Sequence, residues 1–210
     1  MSEYITHIGT DESGKGDFFG PLVIAGVMVD EKAAKMFLEA GIKDSKKVTD
    51  KKILTLEPLI KQNSVYSVVP ISNGKYNELY KNIKNLNKLL AWGHARVIEN
   101  VLEQKTCEYA LSDQFGDESL IKSALMKRGQ SIRLEQMVRA ESDVAVAAAS
   151  ILARATFVHK IQEMENKYGL KFPKGCAPQV KDVAREFIAK YGKERLAEVC
   201  KTHFKTYNEV

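Results

Sequence analysis

The period of apolar and polar positions changes repeatedly along the chain, and each change marks a predicted element. From Tyr4 to Thr10 the two kinds roughly alternate, and Pro21 to Val29 is a continuous β-rich apolar run, which predicts a pair of strands. Between them Asp11 to Gly20 is acidic and glycine-rich and reads as a turn. Glu31–Ala40 reads as a short helix closed by Gly41. A polar stretch, Lys43 to Lys47, leads to Thr49, placed to cap a helix reaching about Lys61. Ser64–Ile71 reads as a strand. Between Asn85 and Lys105, residues Leu86, Leu89, Leu90, Val97, Ile98, Val101 and Leu102 recur every three or four positions. They predict a long helix with one buried face and Trp92 on the edge of its apolar stripe. Cys107–Leu111 reads as a buried strand ending at Ser112-Asp113, and Ser131–Val138 as another. From Val144 a run of small residues, Ala145 to Ala153, opens a helix able to pack closely on a sheet; Gln179–Tyr191 and Glu194–Lys201 read as helices too. With no repeat, low-complexity tract or Pro/Ser linker, the pattern predicts one α/β domain over residues 1–210, of which about 160–210 is a helical C-terminal extension.

Composition narrows the class. The 210 residues are 44% hydrophobic and 28% charged, which excludes wholesale disorder. Neither an uninterrupted apolar stretch of membrane-spanning length nor a basic segment leading into an apolar one at the N-terminus is present, so no membrane partner and no secretory signal are expected. Three widely spaced cysteines, Cys107, Cys176 and Cys200, fit neither a disulfide framework nor a tetrahedral zinc site and point to a reducing cytoplasm. The net charge of +5 is uneven: residues 151–210 hold 12 basic and 7 acidic side chains, and residues 1–150 sum to zero. Positive charge loaded at one end suggests a polyanionic partner, against the plainer reading of a solvated lysine-rich surface.

Gly9-Thr10-Asp11-Glu12-Ser13-Gly14-Lys15-Gly16-Asp17 is the strongest local feature. Adjacent residues of a regular strand point to opposite faces, so a joint role for Asp11 and Glu12 calls for a kinked backbone, which Gly14 and Gly16 would permit. The first seven positions also match a phosphate-binding P-loop. However, the eighth is Gly16 rather than Ser or Thr, and Asp11 and Glu12 would repel a polyphosphate, so that reading fails. Asp113, at a strand end, and Glu141 and Asp143, at a helix start, are placed to converge on the first pair. Each alone is an ordinary turn or helix-cap acid. Together they would repel one another unless cations sat among them, and hard magnesium or manganese ions prefer such all-oxygen ligands. Two ions about 4 Å apart would activate water and stabilise the leaving oxygen in phosphodiester hydrolysis.

The stretch Gly9 to Pro21 resembles the opening motif of type 2 ribonucleases H, in the version typical of ribonuclease HIII. Asp44-Ser45-Lys46-Lys47-Val48-Thr49 and Asn85 to His94 resemble the second and third motifs. Ser112 to Phe115, and Ala140-Glu141-Ser142 with Ala145 to Arg154, resemble the motifs of the later carboxylates. Lys171 to Gly175 and Lys201 to Lys205 resemble the C-terminal signatures, so the similarity runs from about Ile5 to Tyr207. It implies a ribonuclease H-like α/β fold, with a central mixed sheet flanked by helices and a helical C-terminal portion. It also implies Asp11, Glu12, Asp113 and Glu141 as catalytic metal ligands, Glu141 being preferred to Asp143. Magnesium is the implied cofactor, with manganese as the alternative. Gly14, Lys15 and Gly16 would read 2′-hydroxyls through the backbone, and Ser45, Lys46 and Asn87 would contact substrate, chiefly its phosphates.

The implied activity is endonucleolytic hydrolysis of the RNA strand of RNA/DNA hybrids by a monomer, leaving 5′-phosphate and 3′-hydroxyl ends. Two rivals stand beside it: incision at single ribonucleotides in duplex DNA, as in ribonuclease HII, and a non-catalytic hybrid-binding module. Ribonuclease HIII usually carries an N-terminal platform domain that grips the hybrid, whereas here the catalytic strand is expected from about residue 4. None of the four histidines, His7, His94, His159 and His203, has ligand spacing, so no metal role is assigned to them.

Overall fold

The computed structural model describes residues 4–42, 48–126 and 128–210. Five strands form one sheet in the order β3-β2-β1-β4-β5: β1 His7–Ser13, β2 Leu22–Val29, β3 Val65–Ile71, β4 Tyr109–Asp113 and β5 Arg133–Met137. The β1–β2 and β2–β3 pairs are antiparallel, and the β1–β4 and β4–β5 pairs are parallel. This is the mixed sheet flanked by helices that the resemblance implies.

The continuous apolar run of β2 follows from its central place. Val23, Ala25, Val27 and Val29 face a core that contains helix α6 (Val144–Tyr168), while Leu22, Ile24 and Met28 face helix α4 (Leu86–Gln104) on the other side. A strand covered on both faces needs no polar alternation. α6 has the length and mean hydropathy, 1.4, of a membrane span, but 67% of that apolar window is buried inside the protein. Its alanines lie against the sheet and against α1 (Glu31–Glu39) and α2 (Asp50–Asn63).

Three predicted details change. β1 runs as a regular strand through Asp11, Glu12 and Ser13, paired with Ala25, Ile24 and Val23, so the backbone does not kink there. The segment predicted as a helix over 194–201 is a 3-10 helix, Lys193–Glu198. Past it the chain extends, because Cys200 bridges Phe19 and the Lys201 N–H donates to the Phe18 carbonyl. α6 crosses residue 160 without a break, and Val180, Ala184 and Phe187 of α7 (Pro178–Tyr191) share its core. The expected C-terminal boundary therefore falls inside a helix.

Helices α3 (Asn73–Ile83), α5 (Glu118–Ala124) and α8 (Lys205–Glu209) have no counterpart in the sequence reading. α3 places Tyr76, Leu79, Tyr80 and Ile83 at helical spacing against the core that α4 shares, a short stripe of which only Tyr76 is fully buried and which the sequence reading missed. α5 and α8, of 7 and 5 residues, are too short to establish a period.

Candidate active site

The β1–β4 ladder ends at Thr10 opposite Ser112. Asp11, Glu12 and Asp113 follow at once, and all three line one cavity of about 270 Å³ with Ser13, Lys15, Ser150 and Arg154. The two carboxylates of β1 keep the alternation of a regular strand: Asp11 turns to α6, where Ser150 bonds it, and Glu12 turns to α4, where His94 bonds it. They share a cavity because β4 no longer covers the strand edge there. The turn after Ser13 leads through Phe19 into β2 and not into a helix, which also removes the P-loop reading.

Close packing fixes this strand end. A Cβ on Gly9 would stand 2.1 Å from the Ala145 carbonyl carbon and the Val146 nitrogen, so only glycine lets β1 approach the first turn of α6 this closely. Gly14 takes φ +89°, a left-handed conformation that side chains disfavour. Gly16 has no protein atom within 4 Å of where a Cβ would be, which leaves space at the backbone for a ligand. The C-terminal segment holds this turn from below. Asp17 Oδ1 accepts the Gly175 N–H at 2.6 Å, and the buried Lys201 donates to the Asp17 and Gly20 carbonyls, each at 2.7 Å.

The electrostatics of the two neighbours differ. Burial pushes the Asp11 carboxyl well above the usual range, and the charge of Glu12 adds to this. Burial acts the same way on Glu12, but the hydrogen bond and charge of His94, then those of Lys15, outweigh it and hold that carboxyl low. His94 is fully buried, with Nδ1 2.8 Å from Thr10 Oγ1 and Nε2 3.1 Å from Glu12 Oε2, and its ring stacks on Phe115 at 4.7 Å. Lys15 Nζ donates to Glu12 Oε1 at 2.7 Å.

Asp113 Oδ1 accepts the Ala140 N–H at 3.0 Å, which holds the 3-10 turn Ala140–Ser142, and Glu141 within it, beside Asp113. Glu141 does not itself line the cavity. Asp143 is engaged elsewhere: Oδ1 caps α6 by accepting from Ala145 and Val146, and Oδ2 meets His7 Nε2 at 2.9 Å. Burial alone would raise the Asp143 carboxyl, but His7 and those amides bring it down. Asp143 is thus committed to the start of α6 and to His7, while Glu141 lies beside Asp113.

Of the other predicted contacts, Asn87 is exposed in the first turn of α4 and lies against Gly116, in the loop after Asp113. Ser45 and Lys46 lie outside the described residues. The structure adds His94, Ser150 and Arg154 to the site. Arg154 reaches Asp50 Oδ1 through Nε and Nη2 at 3.1 and 2.8 Å, and Lys174 pairs with the same carboxylate. A usable signal existed for His94, which stands four residues after Leu90 and four before Ile98 on the apolar stripe of α4, where a histidine must find partners.

The donor set consists of carboxylate oxygens at an open strand edge, with Asp11 pushed up by burial and by the charge of Glu12. That suits a hard divalent cation. Among the described residues, no group of three or more His, Cys, Asp or Glu side chains is already gathered tightly enough to hold a metal ion.

Comparisons with known proteins cover nearly the whole chain. The family model described as Ribonuclease HII matches residues 8–207. Ribonuclease HIII of Protochlamydia amoebophila (strain UWE25) is 45% identical over 204 residues, covering 97% of this chain and 68% of that protein. Ribonuclease HIII of Chlamydia felis (strain Fe/C-56) is 48% identical over 206 residues, covering 97% and 69%. Among solved structures, Bst-RNase HIII in complex with Mn2+ superposes with a TM-score of 0.92 at 30% identity, covering 99% of this chain and 69% of that one. The ribonuclease H2 of Pyrococcus horikoshii OT3 superposes with a TM-score of 0.82 at 25% identity, covering 98% and 96%.

Proposed function

The chain belongs to the ribonuclease HII family and is a ribonuclease H, an endonuclease acting on RNA/DNA hybrids; from that premise we propose how its residues divide the work. Asp11, Glu12, Asp113 and Glu141 would hold divalent metal, magnesium in the working enzyme with manganese as a substitute. Bound there, two metal ions supply activation of the attacking water and stabilisation of the leaving oxygen, giving 5′-phosphate and 3′-hydroxyl ends. The observation that carries this reading is the meeting of Asp11, Glu12 and Asp113 in one cavity where the β1–β4 ladder stops. Side-chain adjustment would accompany metal binding, drawing Glu141 toward Asp113.

The surrounding residues orient these ligands. His94 fixes Glu12 from the α4 side, and Ser150 fixes Asp11 from the α6 side. Amides of Gly14, Lys15 and Gly16 would read the 2′-hydroxyl that separates RNA from DNA, with the open backbone at Gly16 as the approach. Asn87 is assigned to a substrate phosphate. Ser45 and Lys46 are assigned to substrate contact from the sequence alone. The free thiols of Cys107, Cys176 and Cys200 suit a reducing cytoplasm, and we expect a monomer that works on nucleic acid away from membranes.

An end-labelled RNA/DNA hybrid run beside a DNA duplex with one embedded ribonucleotide, each with magnesium and with manganese, tests the reading. Cuts throughout the RNA strand and poor incision at the single ribonucleotide are expected. The reverse pattern would move the chain to ribonuclease HII activity. Hybrid binding without turnover in either metal would make it a binding module.

A further inference from the structure

Net charge pointed to the last sixty residues as the polyanion-binding face, yet those cations are largely spent internally. Lys160, Lys171, Lys181, Lys190 and Arg195 each pair with a carboxylate of the same segment, and Lys201 is buried. Around the α3–α4 junction the situation is different. Lys81, Lys84, Lys88 and Arg96 form no ion pair among the described residues. Three carboxylates of the same two helices are already engaged. Glu78 pairs with Lys75, Glu103 pairs with Arg128, and the buried Glu99 accepts the Arg128 and Gly129 N–H groups.

Lys88, Trp92 and Arg96 follow one another at intervals of four and so share the outward face of α4, opposite the buried stripe of Leu90, His94 and Ile98. Trp92 is the only tryptophan of the chain; it is 39% exposed, and the Arg96 guanidinium lies 5.9 Å from its ring centroid. From Lys88 to Arg96 the helix advances about 12 Å, and one strand of a duplex passes three to four phosphates over that rise, at about 3.4 Å each. α4 starts beside the loop that follows Asp113 and its inner face holds Glu12 through His94, so the stripe runs along the outer side of the helix that backs the acidic cavity.

We propose that this face is a track for the phosphodiester backbone of the duplex flanking the cut. Lys84, Lys88 and Arg96 meet phosphates, and the Trp92 ring lies against a sugar or an end-exposed base. The assignment rests on the nuclease reading above and extends the contact surface beyond the site where cleavage occurs. A linear row of unpaired cations with one aromatic among them matches a uniformly charged strand better than the mixed charge of a protein surface.

The lone tryptophan makes the test direct. Titration of the whole protein with a long RNA/DNA hybrid in EDTA, where nothing is cut, gives binding by anisotropy of the labelled hybrid and contact from Trp92 emission. Expected are a change in emission that tracks binding and loss of iodide quenching in the complex. K88Q/R96Q should bind more weakly, with the slope of log affinity against log salt reduced by about two. K32Q/K35Q, the same charge loss on exposed positions of α1, should leave the slope where it was. Melting temperatures check that both variants are folded. Trp92 still open to iodide in a saturated complex, or equal slopes for the two variants, would overturn the track while leaving the nuclease reading intact. No hybrid binding by anisotropy would overturn both. Shielding of Trp92 by poly-glutamate but not by hybrid would give the face to an acidic protein instead.

Discussion

His94→Phe separates the positioning of Glu12 from the packing around it. The phenyl ring keeps the stack on Phe115 and fills the same buried space, but it forms no hydrogen bond with Thr10 Oγ1 or Glu12 Oε2, now 2.8 and 3.1 Å from the imidazole. Leaving a buried polar group without its partner costs about 1–3 kcal/mol. Glu12 keeps Lys15 on its other oxygen, so its share falls at the low end. A loss of about 3 kcal/mol in all lowers the melting temperature by roughly 6–12 °C for a chain of this size. Glu12 also becomes free to rotate. Loss of a partner that orients a metal ligand costs about 10- to 100-fold in metal affinity or activity. Hybrid cleavage titrated with manganese should therefore show half-saturation moved upward by that factor, with the rate partly restored at high metal. Thermal melts run in parallel check the stability term. Unchanged half-saturation and an unchanged rate would refute the role given to His94, however large the loss of stability.

Gly9→Ala should lower stability by about 1–3 kcal/mol or more through overpacking, since its Cβ would meet α6 backbone at 2.1 Å; urea unfolding measures this. Glu141→Gln should cut hybrid cleavage at least a hundredfold with little change in melting temperature. Asp143→Ala should instead cost about 1–2 kcal/mol through the lost α6 cap and keep cleavage within a few-fold; the opposite pair of results would exchange the two roles. Burial lowers the Lys201 pKa from 10.5 to about 8. Between those values the unfolded chain binds the extra proton, so stability from this residue rises with pH. The difference in unfolding free energy between the wild type and Lys201→Met should widen by roughly 2 kcal/mol from pH 8 to 9.5, at about 1.4 kcal/mol per unit; a constant difference would show that Lys201 titrates normally.

Much of the fold was readable because its longest elements carry strong patterns. β2 is apolar throughout as it is covered on both faces, and α4 repeats its leucines at helical spacing. α3 was legible yet missed, since Tyr76, Leu79, Tyr80 and Ile83 repeat at helical spacing but form only a two-turn stripe with one fully buried member. The acidic set was readable as a motif, but the way it converges was not. Alternation along β1 seemed to part Asp11 from Glu12. Only the end of the β1–β4 ladder, a feature of three-dimensional pairing, lets both reach one cavity. Asp143 against Glu141 could not be decided locally either, since what removes Asp143 is a bond to His7, 136 residues away in sequence. Charge summed by segment misled for a related reason: the excess cations of residues 151–210 are spent where the sum cannot register it, Arg154 and Lys174 on Asp50 far back in the chain and Lys201 inside the core.

Asp113→Asn asks the central question most directly. The substitution keeps the side chain's size and an oxygen able to accept the Ala140 N–H, but removes a charge from the proposed metal site. Cleavage of an RNA/DNA hybrid by this variant should fall at least a thousandfold beside the wild type in the same magnesium buffer, at a melting temperature within a few degrees. Cleavage at the wild-type rate by a folded Asp113→Asn protein would contradict the assignment of this carboxylate set as the metal-binding centre.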